Sequence, residues 1–199
     1  DKADYVIDNH GIPLRTFVFY EAHGISPEVP KEVAEKSERM ALLYGSDYVE
    51  KETEIYGGGK TCRGLCVDNG IPAIVPEVAI GDADVAERGH RNIMIDLGMM
   101  QGEIKLPPKQ YILKWVIDPK AAAVRTSKAG CFIPSVKMGD IVKKGDNVGV
   151  IYGPRTLEEI EVLTAPREGY VTSIPYNPVK HAGESVMQIL EILQVVKNR

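Results

Sequence analysis

Strand and helix signals alternate over residues 1–103, and short strands set between glycine turns fill residues 104–199. This predicts an α/β layer with a mostly parallel sheet flanked by helices, followed by a small all-β barrel or sandwich. Three observations carry the prediction. β-Branched and aromatic residues dominate two early runs, "DYVIDNH" and "TFVFYE", and turn residues bound both. A seventeen-residue stretch, "VPKEVAEKSERMALLYG", sets Val33, Ser37, Met40, Ala41 and Tyr44 on one face and stops at a glycine. The second half nearly repeats itself: "CFIPSVKMGDIVKKGDNVGVI" and "PREGYVTSIPYNPVKHAGESVMQIL" share a proline, a Val-Lys step and a glycine followed by Asp140 or Glu184.

The remaining elements follow in order. "GKTCRGLCVDNG" reads as a short helix, and "IPAIVPEVAI" is the near-continuous apolar run of a strand buried on two sides. "DADVAERGHRNIMIDLGMM" reads as a helix interrupted near Gly89. Pro107 and Pro108 punctuate the change of texture, which places the domain boundary between about residues 104 and 120, with a linker opening the second part.

A formal charge of -4 provides no basic footprint for nucleic acid or an anionic membrane surface, so neither is an expected partner. No apolar stretch reaches membrane-spanning length, and the N-terminus has no signal-peptide pattern. Cys62, Cys66 and Cys131 are too few for a disulfide scaffold, which points to a reducing, cytoplasmic setting. Cys62 and Cys66 lie four apart on a helix, but no second Cys or His pair follows at zinc-site spacing, so buried thiols are the simpler reading. The chain opens on "DKADY", without a methionine, and runs straight into a strand, as a piece of something longer would.

Two residues stand out for chemistry. His10 follows Asp8 by two positions, which in a strand puts both side chains on one face, so Asp8 can hold the ring of a metal-bound His10. The alternative is a structural histidine satisfied by any hydrogen-bond partner. Glu77 closes "IPAIVPE", where an apolar strand opens onto the rim of a sheet; burial there raises a carboxyl toward the range of a general acid or base. The alternative is a rim carboxylate paired to Arg63 or Arg88.

Other patterns fail on inspection. "IYGGGKT" lacks the first glycine of a phosphate loop, because Glu54 stands there. "HAGE", His181 to Glu184, has H-x-x-E zinc spacing but occupies the second copy of the repeated glycine turn, which explains it better. His23 and His90 have no acids at ligand spacing and suit surface or packing roles.

Together, "ADYVIDNHG", "GIPAIVPEVA", "HRNIMIDLGMMQGE" and the glycine-acid repeat resemble the succinylglutamate desuccinylase/aspartoacylase family, relatives of the zinc carboxypeptidases. The resemblance covers nearly the whole chain. It implies that His10, in Asp8-Asn9-His10, matches the third zinc ligand of the family's Asp-Leu-His strand, with Asn9 in place of leucine, and that Asp8 supports it. It implies that Glu77 matches the catalytic glutamate, which deprotonates a zinc-activated water for attack on an amide carbonyl. The second half resembles the family's lipoyl-like β-domain, although Glu158 falls where a true carrier has its modifiable lysine. Arg63 is a candidate for binding an acidic substrate group, with an exposed helix arginine as the alternative.

The family's upstream H-x-x-E motif, which supplies the first two zinc ligands, has no counterpart here. The resemblance therefore implies the C-terminal part of a zinc-dependent deacylase for a small N-acyl amino acid or related acylamine. The isolated chain is expected to be inactive, and such a family allows self-association into a homo-oligomer. A non-catalytic binding or assembly module without metal is the alternative.

Overall fold

A computed structural model describes residues 3–12, 15–25, 29–54 and 61–198. The chain divides into two compact units, Asp1–Ile117 with Leu193–Arg199, and Asp118–Ile192. The first contains β1 (Val6–Ile7), β2 (His10–Ile12), β3 (Phe17–Glu21), α1 (Lys31–Leu43), β4 (Tyr48–Glu52), α2 (Cys62–Asp68), β5 (Ala73–Ala79), α3 (Ala83–Asp96) and β6 (Lys109–Lys114). The second contains α4 (Pro119–Ala122), β7 (Ala123–Arg125), β8 (Gly130–Pro134), β9 (Ile141–Val142), β10 (Asn147–Tyr152), β11 (Glu159–Thr164), β12 (Gly169–Ser173), β13 (Val179–Lys180) and β14 (Ser185–Leu190). The last strand, β15 (Ile192–Lys197), pairs with β6. The chain end therefore returns to the first sheet, where the sequence texture had placed it with the β-domain. Nothing in the composition of "ILQVVK" distinguishes the two destinations.

Among the described residues, the first unit builds a seven-stranded sheet in the order β1-β5-β3-β4-β6-β15, with β2 also on β5. β1 and β2 run parallel to β5, β3 to β4 and β4 to β6, whereas β3 and β5 are antiparallel, so the sheet is mixed. The reversal follows from the short connection between Ile12 and Phe17, because a parallel return needs a crossover of a dozen or more residues.

Alternation along the strands gives this sheet two different faces. Val18, Tyr20, Val49, Ile74 and Ile112 lie on one and pack against Met40, Ala41, Leu43 and Tyr44 of the α1 region and Ile93 of α3. The predicted α1 face is buried as read, from Val33 to Tyr44. Ser37 is polar on that face because its hydroxyl donates to the Val33 carbonyl and accepts the Ala73 amide at 3.1 Å. The other face carries Phe17, Phe19, Glu21, Glu50, Glu52, Val75 and Glu77 by register.

The second unit has two four-stranded sheets, β11-β10-β8-β13 and β7-β14-β12-β9, around one apolar core to which both contribute. The internal repeat appears as an exchange: β8 and β10 share one sheet while β9 pairs with β12, and β12 and β14 share the other while β13 pairs with β8. Asp140, Asp146 and Glu184 each accept the backbone N–H three residues earlier, from Lys137, Lys143 and His181. His181 and Glu184 thus belong to a turn.

α3 runs unbroken through Gly89, contrary to the expected interruption. The glycine is required by packing, since a Cβ there would sit 2.7 Å from the Tyr44 ring and 2.8 Å from its carbonyl oxygen. Alanine gains up to about 1 kcal/mol in helix propensity, but overpacking of this kind costs about 1–3 kcal/mol. Gly89→Ala is therefore expected to lower the urea midpoint; an unchanged or higher midpoint would show that the close approach is not a constraint.

Candidate functional site

β1 and β2 hold a single register on β5, with Val6 opposite Ala73, Ile7 opposite Ile74 and His10 opposite Glu77. Because opposed residues share a face, Asp8, His10 and Glu77 all point away from α1 and α3. There they line a cleft of about 540 Å³ with Phe19, Thr61, Cys62, Arg63, Val75 and Trp115. The run "DYVIDNH" is not one continuous strand: β1 ends at Ile7, pairing lapses at Asp8 and Asn9, and His10 begins β2.

The His10 ring lies between two carboxylates. Nε2 is 3.5 Å from Asp8 Oδ2, and Nδ1 is 3.5 Å from Glu77 Oε1. The histidine side chain is 52% exposed and reachable from solvent, whereas that of Glu77 is only 17% exposed. Burial raises the Glu77 carboxyl above the ordinary range, and the His10 imidazole opposes the rise. A partly dehydrated carboxyl beside an imidazole is the kind of group that serves as a general acid or base. With Asp8 on Nε2, the ring has the carboxylate partner that orients metal-bound imidazoles. The described residues hold no group of three or more His, Cys, Asp or Glu side chains arranged to hold a metal. They thus fit one ligand of a catalytic zinc site, which needs three.

Arg63 lines the cleft but is not the exposed helix arginine offered as the alternative. It is 6% exposed; its Nε donates to Glu21 at 3.2 Å, and its Nη2 donates to Glu52. Thr61 caps α2 through the Gly64 amide and turns the first helical turn toward the carboxylates of β3 and β4. The guanidinium is engaged by these two carboxylates and holds α2 on the sheet. One cation against two carboxylates leaves an excess acid: burial lifts Glu52 to about 7 and raises Glu21, with Arg63 opposing both. Glu52 Oε1 has no hydrogen-bond partner among the described residues.

Glu50 escapes the sequence reading altogether. Within "YVEKE" it looks like a solvated charge, yet register puts it beside Phe19, and it is 6% exposed. Burial, helped by the Glu77 charge, pushes it up to about 8. The signal was its alternation with Glu52 and Tyr48, visible only once β4 is known to be central. Cys62 is exposed at the cleft and Cys66 half-buried, rather than both buried. The Ile55–Lys60 part of the discounted phosphate-loop pattern lies outside the described residues.

The Glu50 assignment has a defined pH signature. A carboxyl that binds its proton in the folded state up to pH 8, but only up to about 4.5 when unfolded, makes stability fall as pH rises between those values. At about 1.4 kcal/mol per unit the loss reaches about 5 kcal/mol. Glu50→Gln is expected to flatten that slope in urea unfolding between pH 5 and 8; an unchanged slope would remove Glu50 as its source.

No protein-family model and no curated protein matches the sequence. Solved structures do match. A succinylglutamate desuccinylase from a Silicibacter species is similar with a TM-score of 0.75 and 20% identity, over 96% of this chain and 58% of its own. A succinylglutamate desuccinylase/aspartoacylase from Rhodobacter sphaeroides gives 0.73 and 17%, over 96% and 59%. The ectoine utilization protein EutE (DoeB) from Ruegeria pomeroyi gives 0.72 and 21%, over 94% and 60%. The chain spans less than two thirds of these structures' lengths. Across nearly all of its own length, it has the fold of the succinylglutamate desuccinylase/aspartoacylase proteins.

Proposed function

We propose that this chain is part of a zinc-dependent hydrolase that cleaves the amide bond of a small N-acyl amino acid or related acylamine. Glu77 is its general acid/base, and His10 is one of its metal ligands. The observation that carries the reading is the direct opposition of His10 and Glu77 across the β2–β5 ladder, with Asp8 behind the imidazole, inside one cleft.

Zinc, when bound, supplies a polarised water and a Lewis acid for the scissile carbonyl. Glu77 accepts the proton that this water loses as its oxygen bonds to the carbonyl carbon. It returns that proton to the nitrogen as the C–N bond breaks. The raised affinity of Glu77 for a proton suits both transfers. Phe19, Val75 and Trp115 offer apolar walls for an acyl chain, and the cleft volume lies in the range of small-molecule sites. The remaining zinc ligands belong to protein beyond the described residues, in keeping with the greater length of the similar structures. In this reading the partner is a small molecule in the reducing cytoplasm, and copies of the chain are free to self-associate. Among the described residues no helix is long and apolar enough to cross a membrane.

The incomplete ligand set favours one other reading, a binding or assembly module without metal, in which His10 serves only its two carboxylate contacts. Substitutions in the natural protein with its full ligand set separate the two. Glu77→Gln is expected to lower kcat by about 10²–10⁴-fold with zinc content unchanged by atomic absorption, and His10→Ala to lose zinc. Retained turnover in Glu77→Gln overturns the acid/base role; zinc absent from the wild type as well gives the site to the module.

A further inference from the structure

Even-numbered residues of β5 and of its two flanks face the opening strand: the Val6 amide donates to Pro72 O, the Asp8 amide to Ile74 O, and Ile80 returns its amide to Ile12 O. By the same parity, the Asp8 carbonyl should accept the amide of residue 76. That residue is Pro76, which has no N–H. The ladder lapses there, with Asp8 and Asn9 outside both β1 and β2 although the register does not slip. The segment that carries Asp8 and His10 is thus missing a backbone tether at the point where it needs to be fixed.

Asn9 lies in this gap. Alternation sends its side chain to the opposite face from Asp8 and His10, toward α1 and α3. Its Nδ2 lies 2.9 Å from His90 Nε2, and its Oδ1 accepts the Tyr44 hydroxyl at 3.1 Å. The roles are fixed by the partners. His90 Nδ1 lies 2.6 Å from the Ala86 carbonyl, an acceptor only, so Nδ1 carries the proton and Nε2 accepts from Asn9. Burial pushes the Tyr44 phenol up to about 12, which keeps it a donor. Tyr44 is itself held edge-on to His90, with ring centroids 5.6 Å apart, and pressed against Gly89. Donor meets acceptor at every contact, and an apolar side chain at this position could make none of them.

We propose that Asn9 is a positioning residue: it anchors the Asp8–His10 segment to α3 through His90 and to the end of α1 through Tyr44, replacing the tether that Pro76 removes. The anchor acts from the helical side of the sheet on side chains that work on the cleft side. Its consequence for catalysis rests on the hydrolase reading, but the anchor itself involves neither metal nor substrate.

Backbone amide exchange tests it on the chain as it stands. Parity brings the His10 and Ile12 amides to β5, so their exchange reports the hold on this segment. Asn9→Ala and His90→Ala are each expected to speed exchange at His10 and Ile12 about tenfold. The double variant should add little to either, and β3 and β4 should stay as protected as in the wild type. His90→Gln, whose amide oxygen reaches the place of Nε2, should restore slow exchange. Unchanged exchange in Asn9→Ala, additive effects in the double variant, no rescue by glutamine, or an equal rise in β3 and β4 would each overturn the proposal. Because the readout needs neither zinc nor turnover, loss of activity in Glu77→Gln and loss of the anchor are separate results.

Discussion

The unbroken register of the opening strand on β5 places the chemistry of this molecule. With His10 opposite Glu77 and Ile12 opposite Ala79, one offset holds on both sides of the gap at Pro76. A slip of one residue would send His10 toward α3 and bring Asn9 into the cleft, because strand side chains alternate with a period of two. The core sets this choice: Ile74 on β5 and Val18 on β3 must meet α1 and α3, so Val75 and Glu77 must face the other way. Residues remote from the cleft thus decide which side chains enter it.

The face left to the cleft is electrostatically costly. Glu21, Glu50, Glu52 and Glu77 share it, and among the described residues Arg63 is the one buried cation beside them. Two acids against one cation cannot both ionise cheaply in a dehydrated setting, and among the described residues no ion pair reaches Glu50. The result is a graded set of carboxyls: Glu52 shifted to about 7 and Glu50 to about 8, with Glu21 and Glu77 also raised. Such clustering beside a cleft makes this face a candidate functional site, since a purely structural core is as well served by apolar groups of similar size. Here the accessible member of the set is Glu77, the one that touches the imidazole.

How much of this was legible in the sequence depended on whether a feature is local or lateral. The α1 face and the Asp8–His10 spacing are periodicities within one element, and each was readable from its own residues, whereas Glu77 lies inside β5 rather than where the strand opens onto a rim. Arg63 was misread because its partners, Glu21 and Glu52, belong to two strands whose pairing no local pattern reveals. Glu50 was missed for the same reason. Gly89 read as a break because glycine costs helix propensity, while the packing of Tyr44 that demands it comes from a helix more than forty residues earlier. The antiparallel β3 and the return of β15 are likewise matters of connection, which composition does not record.

Pro76 shows how such lateral constraints compound. Within its own strand it is an anomaly, since a proline flanked by partners on both sides removes a ladder bond. Its even position aims the loss at Asp8 rather than at β3, so the antiparallel pairing that carries Val75 and Glu77 is preserved. The cost falls on the segment bearing His10, where a side chain outside the ladder can meet it. Asn9 is the residue there that can both donate and accept across the sheet, and His90 and Tyr44 present the matching groups. The opening strand thus keeps its register where a backbone bond is lost, and the imidazole stays opposite Glu77 while the chain around it is freed from strict pairing.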